Sequence, residues 1–224
     1  EKKGALKSVY NLNTSDFDWP DTSNFVQDFK ELDVDRIYFT GGEPSINEKH
    51  YEILDYLIES DKCKNITLEY NTNAISITKR FLNKIINFKT VILTLSIDAL
   101  EEKFYYLRYP GKWELVNRSV KILKEYNSNC KNLFVNVTPT ISIFNIDSIN
   151  VIQDWINNKM EATTPINLHI LEGPNWMHLG LLGEKSRKKI QLHYENLSNN
   201  ATNEVIRNNY KNLVNIIEKS RIID

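Results

Sequence analysis

The chain has 224 residues, enough to bury a sizeable core within one domain. Its 41% hydrophobic and 25% charged content fits a soluble globular protein, and a net charge of -1 argues against a nucleic-acid-binding surface driven by bulk charge. No apolar run is long enough to span a bilayer and no signal peptide opens the sequence, so a cytoplasmic protein with no membrane and no nucleic-acid partner is expected.

In chain order, residues 1–24 are polar and irregular, and Trp19-Pro20 reads as extended or turn. Thr22 or Ser23 is placed to cap a helix whose apolar face is Phe25, Val26, Phe29 and Leu32. A short apolar strand, Ile37 to Phe39, follows. A rhythm then sets in. Helices are expected near 48–60, 77–88, 113–126 and 146–157, each with an apolar stripe. Between them come strands at Ile66–Tyr70, Val91–Ile97, Leu133–Val137 (extending past Pro139 towards Ile143) and Ile166–Leu171. Strands recur at about the length of a βα unit, and near-continuous apolar runs suit a parallel sheet covered by helices. The fold class is therefore α/β, either a barrel or an open wound sheet. Residues 172–183 read as a loop, followed by two helices near 184–198 and 203–219.

The two cysteines, Cys63 and Cys130, form neither a zinc spacing nor a disulfide framework. They read as free thiols of a reducing compartment. Asn-X-Ser/Thr matches such as Asn65-Ile66-Thr67, Asn117-Arg118-Ser119 and Asn136-Val137-Thr138 are expected by chance in so Asn-rich a chain.

The stretch that organises the rest is Arg36-Ile37-Tyr38-Phe39-Thr40-Gly41-Gly42-Glu43-Pro44-Ser45. A buried strand ends in two adjacent glycines, in a chain with only seven. Gly-Gly turns sharply and lets a ligand approach the backbone; Glu43 adds a carboxylate and Pro44 fixes the exit. A tight βα turn with a solvated Glu43 explains the same residues equally well.

In a parallel sheet the residues just past each strand converge on one edge. Here those are Gly41, Gly42 and Glu43; Asn71, Thr72 and Asn73; Ser96 and Asp98; Thr138, Thr140 and Asn145; His169 and Glu172. Such a rim suits a polar small molecule better than a polyanion. Each member also has a plain structural explanation. Asn71 and Asn73 are natural turn residues, Ser96 or Asp98 would cap a helix near Leu100 to Leu107, and His169 fits a satisfied core histidine. Arg108, among tyrosines and just before Pro110-Gly111, suits a carboxylate clamp or an aromatic stack.

Taken together, Phe39-Thr40-Gly41-Gly42-Glu43-Pro44, Tyr70-Asn71-Thr72-Asn73, Leu95-Ser96-Ile97-Asp98-Ala99 and Arg108 before Pro110-Gly111-Lys112-Trp113 resemble the radical S-adenosylmethionine superfamily, and most nearly its twitch-domain and SPASM-type members. The resemblance runs from about residue 35 to about residue 185. It implies a partial (β/α)6 TIM-like barrel over 35–183, with 1–34 as irregular lead-in and first helix and 184–224 as a C-terminal helical segment of the same domain. It implies S-adenosylmethionine as cofactor. Thr40, Gly41, Gly42, Glu43 and Pro44 would receive its ammonium, and Asn71 and Asn73 would lie nearby. Ser96 and Asp98 would bond its ribose or carboxylate side, and Arg108 would pair with its carboxylate. Thr138 and Leu171 would border its adenine. The substrate would be a peptide or a small molecule.

The family chemistry also calls for a [4Fe-4S] cluster on three cysteines spaced CxxxCxxC, on the loop ahead of the strand at Ile37. Residues 1–34 hold no cysteine. The expectation is a part of a longer protein, with the first strand and cluster loop upstream of Glu1 and the cluster present only in full length. The alternative is a cluster-free module that binds S-adenosylmethionine, or a scaffold for a partner.

Overall fold

The computed structural model describes residues 26, 27, 29, 30, 32–40, 42–160 and 164–220. The anticipated caps Thr22 and Ser23, the helix residue Phe25, and Gly41 of the turn lie outside the described residues. Residues 26, 27, 29 and 30 are helical, with Phe29 buried.

Four parallel strands follow: β1 (Arg36–Phe39), β2 (Thr67–Thr72), β3 (Thr90–Leu95) and β4 (Leu133–Val137). They lie side by side in chain order. Two short strands, β5 (Thr140–Ile141) and β6 (His169–Ile170), pair in parallel beyond them. Val137 at the end of β4 bridges Ile166, while Thr140 and Ile141 pair with His169 and Ile170. All three pairs have the same separation in sequence, so β4 and β5 are one path interrupted at Pro139. Its neighbour is the 166–170 segment in unbroken register. Pro139 lacks an N–H and would leave a gap in any continuous ladder. The strand order thus never reverses, as in a barrel. A wound sheet reverses at its ligand-binding switch point. The fold is α/β, a parallel sheet with helices in barrel order.

Seven helices are described after β1. They are α1 (Glu48–Glu59), α2 (Lys79–Ile85), α3 (Glu101–Leu107), α4 (Trp113–Asn127), α5 (Ile149–Met160), α6 (Glu184–Asn200) and α7 (Glu204–Lys219). Local chemistry sets several starts. The Asn47 side chain accepts from the Lys49 N–H, the Thr78 hydroxyl from Phe81, and Asn203 from Val205 and Ile206. Helix α3 starts without a side-chain cap, so neither Ser96 nor Asp98 serves the capping role that their position suggested. The loop after β6 carries two short 3-10 turns, Asn175–Met177 and Leu179–Leu181.

The core lies between the sheet and its helices. Alternate strand residues Ile37, Phe39, Leu68, Tyr70, Val91, Leu93, Leu95, Leu133, Val135 and Val137 are buried on one face. Helices α1, α2 and α4 press Leu54, Leu57, Phe81, Leu82, Val120 and Leu123 into the same core. Helices α6 and α7 form a hairpin anchored by Tyr194, whose hydroxyl donates to the Ile146 carbonyl at 2.6 Å and accepts from the Ile149 N–H at 3.1 Å. No described helix is long and apolar enough to cross a membrane.

Candidate functional site

The strand ends are held together by two carboxylates. Glu43, half-buried after the Gly-Gly turn, accepts from the Ser45 hydroxyl at 2.8 Å and the Thr72 hydroxyl at 2.7 Å through Oε1. Its Oε2 accepts from the Asn73 N–H at 2.9 Å. Glu43 therefore ties the β1 exit to the β2 exit. Ser45 shares a further hydroxyl contact with Ser76 at 2.7 Å. Pro44 is buried at the head of the 3-10 turn Pro44–Ile46. Thr40 and Gly42 stay exposed, and Gly42 sits at φ +27° with nothing within 4 Å of an added Cβ. This is open backbone at the mouth of the turn, as a ligand approaching the main chain requires.

Asp98 plays the second tying role. It is 8% exposed; Oδ2 accepts from Arg108 Nε at 2.5 Å and Oδ1 from the Thr140 N–H at 2.6 Å. Its backbone carbonyl and that of Thr140 both accept from the buried Asn145 amide at 2.9 Å. The β3, β4 and α3 exits thus meet around one ion pair. Arg108 engages Asp98 through Nε; its planar fork of five N–H donors matches a carboxylate bidentately.

Arg108 and Asn73 line one cavity of about 540 Å³, with Phe104, Tyr109, Gly111 and Lys112. Gly111 is needed there: a Cβ would stand 2.7 Å from the Arg108 carbonyl. The Asn73 side chain accepts from the Ile75 N–H at 2.9 Å, the turn role its position suggested. Between them Ala74 is buried at φ +61°, a left-handed conformation disfavoured for a residue with a Cβ.

The other residues read as site members are spread along the edge. Asn71 points away from the Glu43 cluster and donates to the Tyr38 hydroxyl. Ser96 is half-buried, its N–H bonded to the Thr72 carbonyl at 2.8 Å. Thr138 and Leu171 are half-buried, with their N–H groups on the Leu95 and Ile141 carbonyls. His169 is exposed, not a core histidine. Thr72 and Asn145, read only as members of the polar rim, and Ser45 carry the clamps, although none of them was given a cofactor role. The period-2 pattern held the clue for Thr72, which shares the buried face of Leu68 and Tyr70.

A second cavity, of about 1050 Å³, lies between the 166–170 segment and α7, lined by Ile166, Leu168, Ile170, Asn209, Asn212 and Lys219 among others. It is the larger of the two, but none of the residues read as site members lines it. The smaller cavity is lined by two of them, Asn73 and Arg108, and Arg108 stands beside a carboxylate, so the chemistry favours the smaller.

A family model described as "Radical SAM superfamily" matches residues 10–156. The chain belongs to the radical SAM superfamily. The solved structure of a domain of pyruvate-formate lyase-activating enzyme from Bacteroides vulgatus ATCC 8482 is similar at 13% identity and TM-score 0.48, covering 78% of this chain and 94% of that one. That likeness is too low to carry an argument. No curated protein matches the chain.

Family members in general use S-adenosylmethionine with a [4Fe-4S] cluster. The donor set at the carboxyl edge fits the first: bare backbone at Gly42 faces outward, and Arg108 lines a cavity of suitable size. It does not fit the second. The described residues contain no group of three His, Cys, Asp or Glu side chains placed for a metal. Cys63 sits in the turn Lys62–Asn65 that leads into β2, and Cys130 lies just ahead of β4. Both therefore stand at the amino edge. Strand β2 spans six residues, which separates the edges by about 20 Å at about 3.3 Å per residue. Burial also pushes the Cys63 thiol up, away from the thiolate that iron would need.

Proposed function

We propose that the carboxyl edge binds S-adenosylmethionine. The methionyl carboxylate pairs with the outer nitrogens of Arg108, and the ammonium rests on backbone carbonyls of the Thr40–Gly42 turn, with Glu43 holding that turn against β2. Asn71, Asn73, Ser96, Asp98, Thr138 and Leu171 border the remainder of the cofactor. The observation that carries this reading is that Arg108 and Asn73, from separate βα units, share one cavity at the edge that carries the Gly42 turn. A zwitterionic ligand wants acceptors at one end and a guanidinium at the other, and the edge offers both. Asp98 acts as a positioning residue, because its bond to Nε fixes the plane of the guanidinium.

In a radical SAM enzyme that also holds its cluster, the bound cofactor is the source of the 5'-deoxyadenosyl radical that attacks a peptide or small-molecule substrate. In a cluster-free relative the same pocket is a binding site only. Cys63 and Cys130 both stand at the amino edge, so neither is placed to hold that cluster beside the carboxyl-edge pocket.

The test is equilibrium dialysis of iron-free protein against labelled S-adenosylmethionine. Saturable binding of one cofactor per chain is expected. Arg108→Ala should weaken it at least about tenfold, roughly 1.4 kcal/mol, and because it also strips buried Asp98 of its partner the melting temperature should fall, so binding is read at a temperature where the variant is folded. Absence of saturable binding by the unaltered protein overturns the proposal.

A further inference from the structure

The cavity of about 1050 Å³ between the 166–170 segment and α7 has two unlike walls. One wall is a sheet edge. The Asn167 N–H donates to the Val137 carbonyl at 2.8 Å, and the Leu171 N–H donates to the Ile141 carbonyl at 3.0 Å. The Pro165 carbonyl accepts from the Val137 N–H at 2.9 Å. Residues 165, 167 and 171 thus turn their peptide groups to the β4–β5 path. Alternate residues of a parallel strand face opposite ways in the ladder, so Ile166, Leu168 and Ile170 turn theirs to the cavity. The Ile166 carbonyl shows this directly, because it accepts from the Asn209 side-chain amide of α7 at 3.0 Å. The peptide groups of Leu168 and Ile170 have no partner among the described residues, and no described strand lies beyond β6.

The other wall is a polar face of α7. Tyr210, Leu213 and Ile217 turn into the core, while Asn209, Asn212, Ile216 and Lys219 line the cavity along the adjoining face. Helix α7 runs the same way as the edge. Asn209 stands at Ile166, and at the far end Arg187 bonds both the Ile217 carbonyl and the carbonyl of Leu179, which lies beyond β6. The walls also match in length. From Ile166 to Ile170 the edge covers about 13 Å at about 3.3 Å per residue, and from Asn209 to Lys219 the helix rises about 15 Å at about 1.5 Å per residue. Lys219 is the one formal charge among the described lining residues, and it forms no ion pair with a described residue.

We propose that this groove takes an extended peptide, added as a strand to the 166–170 edge, with a carboxylate held by Lys219 at the Ile170 end. Outward-facing N–H and C=O groups are a template for another extended chain, whose own backbone supplies the missing partners. Asn212 and Asn215 carry a donor and an acceptor each, as peptide groups do, and so suit the outer side of the added strand. A single cation fits one carboxylate and is too little for a polyphosphate backbone. The inference stands on the groove alone and does not rest on the cofactor reading.

The test uses the whole chain and two synthetic pools of random octapeptides, one ending in a free carboxylate and one in a carboxamide. Peptides that co-elute with the protein on gel filtration are identified by mass. The most enriched sequence is remade in both forms with a fluorescent label at its amino end, for anisotropy titration. Binding should saturate at one peptide per chain, with the carboxylate form at least about threefold tighter. Lys219→Gln should bring the carboxylate form to the affinity of the carboxamide and leave the carboxamide unchanged. Leu168→Pro removes an N–H that points into the groove, while Asn167 and Leu171 keep their bonds to the β4–β5 path. It should weaken both forms at least about tenfold, with its melting temperature as the check on folding. Methylating alternate peptide nitrogens of the probe tests the same pairing on the unaltered protein, and one of the two alternate sets should abolish binding. Failure to enrich any peptide overturns the inference, as does equal weakening of both forms by Lys219→Gln or full binding by both methylated sets. A chain that elutes as a dimer, and as a monomer once Leu168→Pro is made, also overturns it, because a second copy then holds the edge. Dialysis against S-adenosylmethionine is run separately, so either result stands without the other.

Discussion

The two faces of the sheet are built on opposite principles. On the covered face, Phe39, Tyr70, Phe81 and His50 form one aromatic cluster. Phe39 stacks on Tyr70 at 5.2 Å, and Phe81 meets Tyr70 edge-on at the same separation. His50, fully buried, bonds the Tyr70 hydroxyl at 2.9 Å. On the other face the side chains of the same strands pair with one another in contact with solvent. Arg36 bonds Glu69, Asn71 bonds Tyr38, and Tyr38 and Phe134 are each about half exposed. The contrast teaches where stability and function are separated. Removing atoms from the first face leaves a cavity, whereas removing them from the second leaves water. A barrel holds its ligand on the inner face and carboxyl edge, and only that side here has been left polar.

The largest expected effect comes from breaking the covered face. Phe81→Ala removes a fully buried ring that touches both Tyr70 and His50. It should cost about 3–5 kcal/mol, read as a shift of the urea midpoint at unchanged slope. A cost near 1 kcal/mol would mean that α2 does not hold the sheet as described.

The same cluster sets an acid limit. Burial pulls the His50 imidazole down to about 4, from an ordinary value near 6.5. Between those values the unfolded chain binds a proton that the folded chain refuses, so stability falls as the pH drops through that window. The full loss is about 3 kcal/mol once the pH is below 4. His50→Gln should flatten this slope whatever it does to stability at pH 7. An unchanged slope would assign the acid limit to another group.

The edge between the faces comes next. Glu43→Gln keeps the shape but replaces one acceptor oxygen with an amide that faces donors from Ser45, Thr72 or Asn73. The cost should be about 1–3 kcal/mol, and cofactor affinity should fall with it because the Gly42 turn loosens from β2. Rescue of affinity by Glu43→Asp would argue that charge alone matters and not the three-way tie.

Much of this was legible in the sequence, for physical reasons that also mark where reading stops. Apolar runs located the four longer strands within one or two residues, and the helix expected near 203–219 is α7. Strand order was not legible, because period-2 burial says which face a residue takes and nothing about its neighbours. The continuity of β4 and β5 past Pro139 emerges only from their shared pairing with 166–170. At the site, Glu43 was read as a ligand acceptor. Its three donors lie up to 30 residues away, a relation that no local pattern reports. Arg108 was read as a carboxylate clamp or an aromatic stack beside its Pro-Gly turn, but its bond to Asp98 depends on how α3 folds back over β3. Ser96 and Asp98 were both read at the end of a strand reaching Ile97, yet β3 ends at Leu95, and beyond it Asp98 turns into the interior.

The smallest expected effect is the sharpest check on the open face. Tyr38→Phe removes one hydroxyl that accepts from the Asn71 amide, and nothing else. Tyr38 is 50% exposed, so water replaces the lost partner on both sides of the exchange. The change in stability should stay within about 0.5 kcal/mol. A cost above about 1 kcal/mol would mean that the hydroxyl is buried in solution, as it would be if a partner or a further part of the chain lay across the face. The open face would then be an interface, and the ligand would have to enter from the carboxyl edge alone, past Gly42 and Arg108.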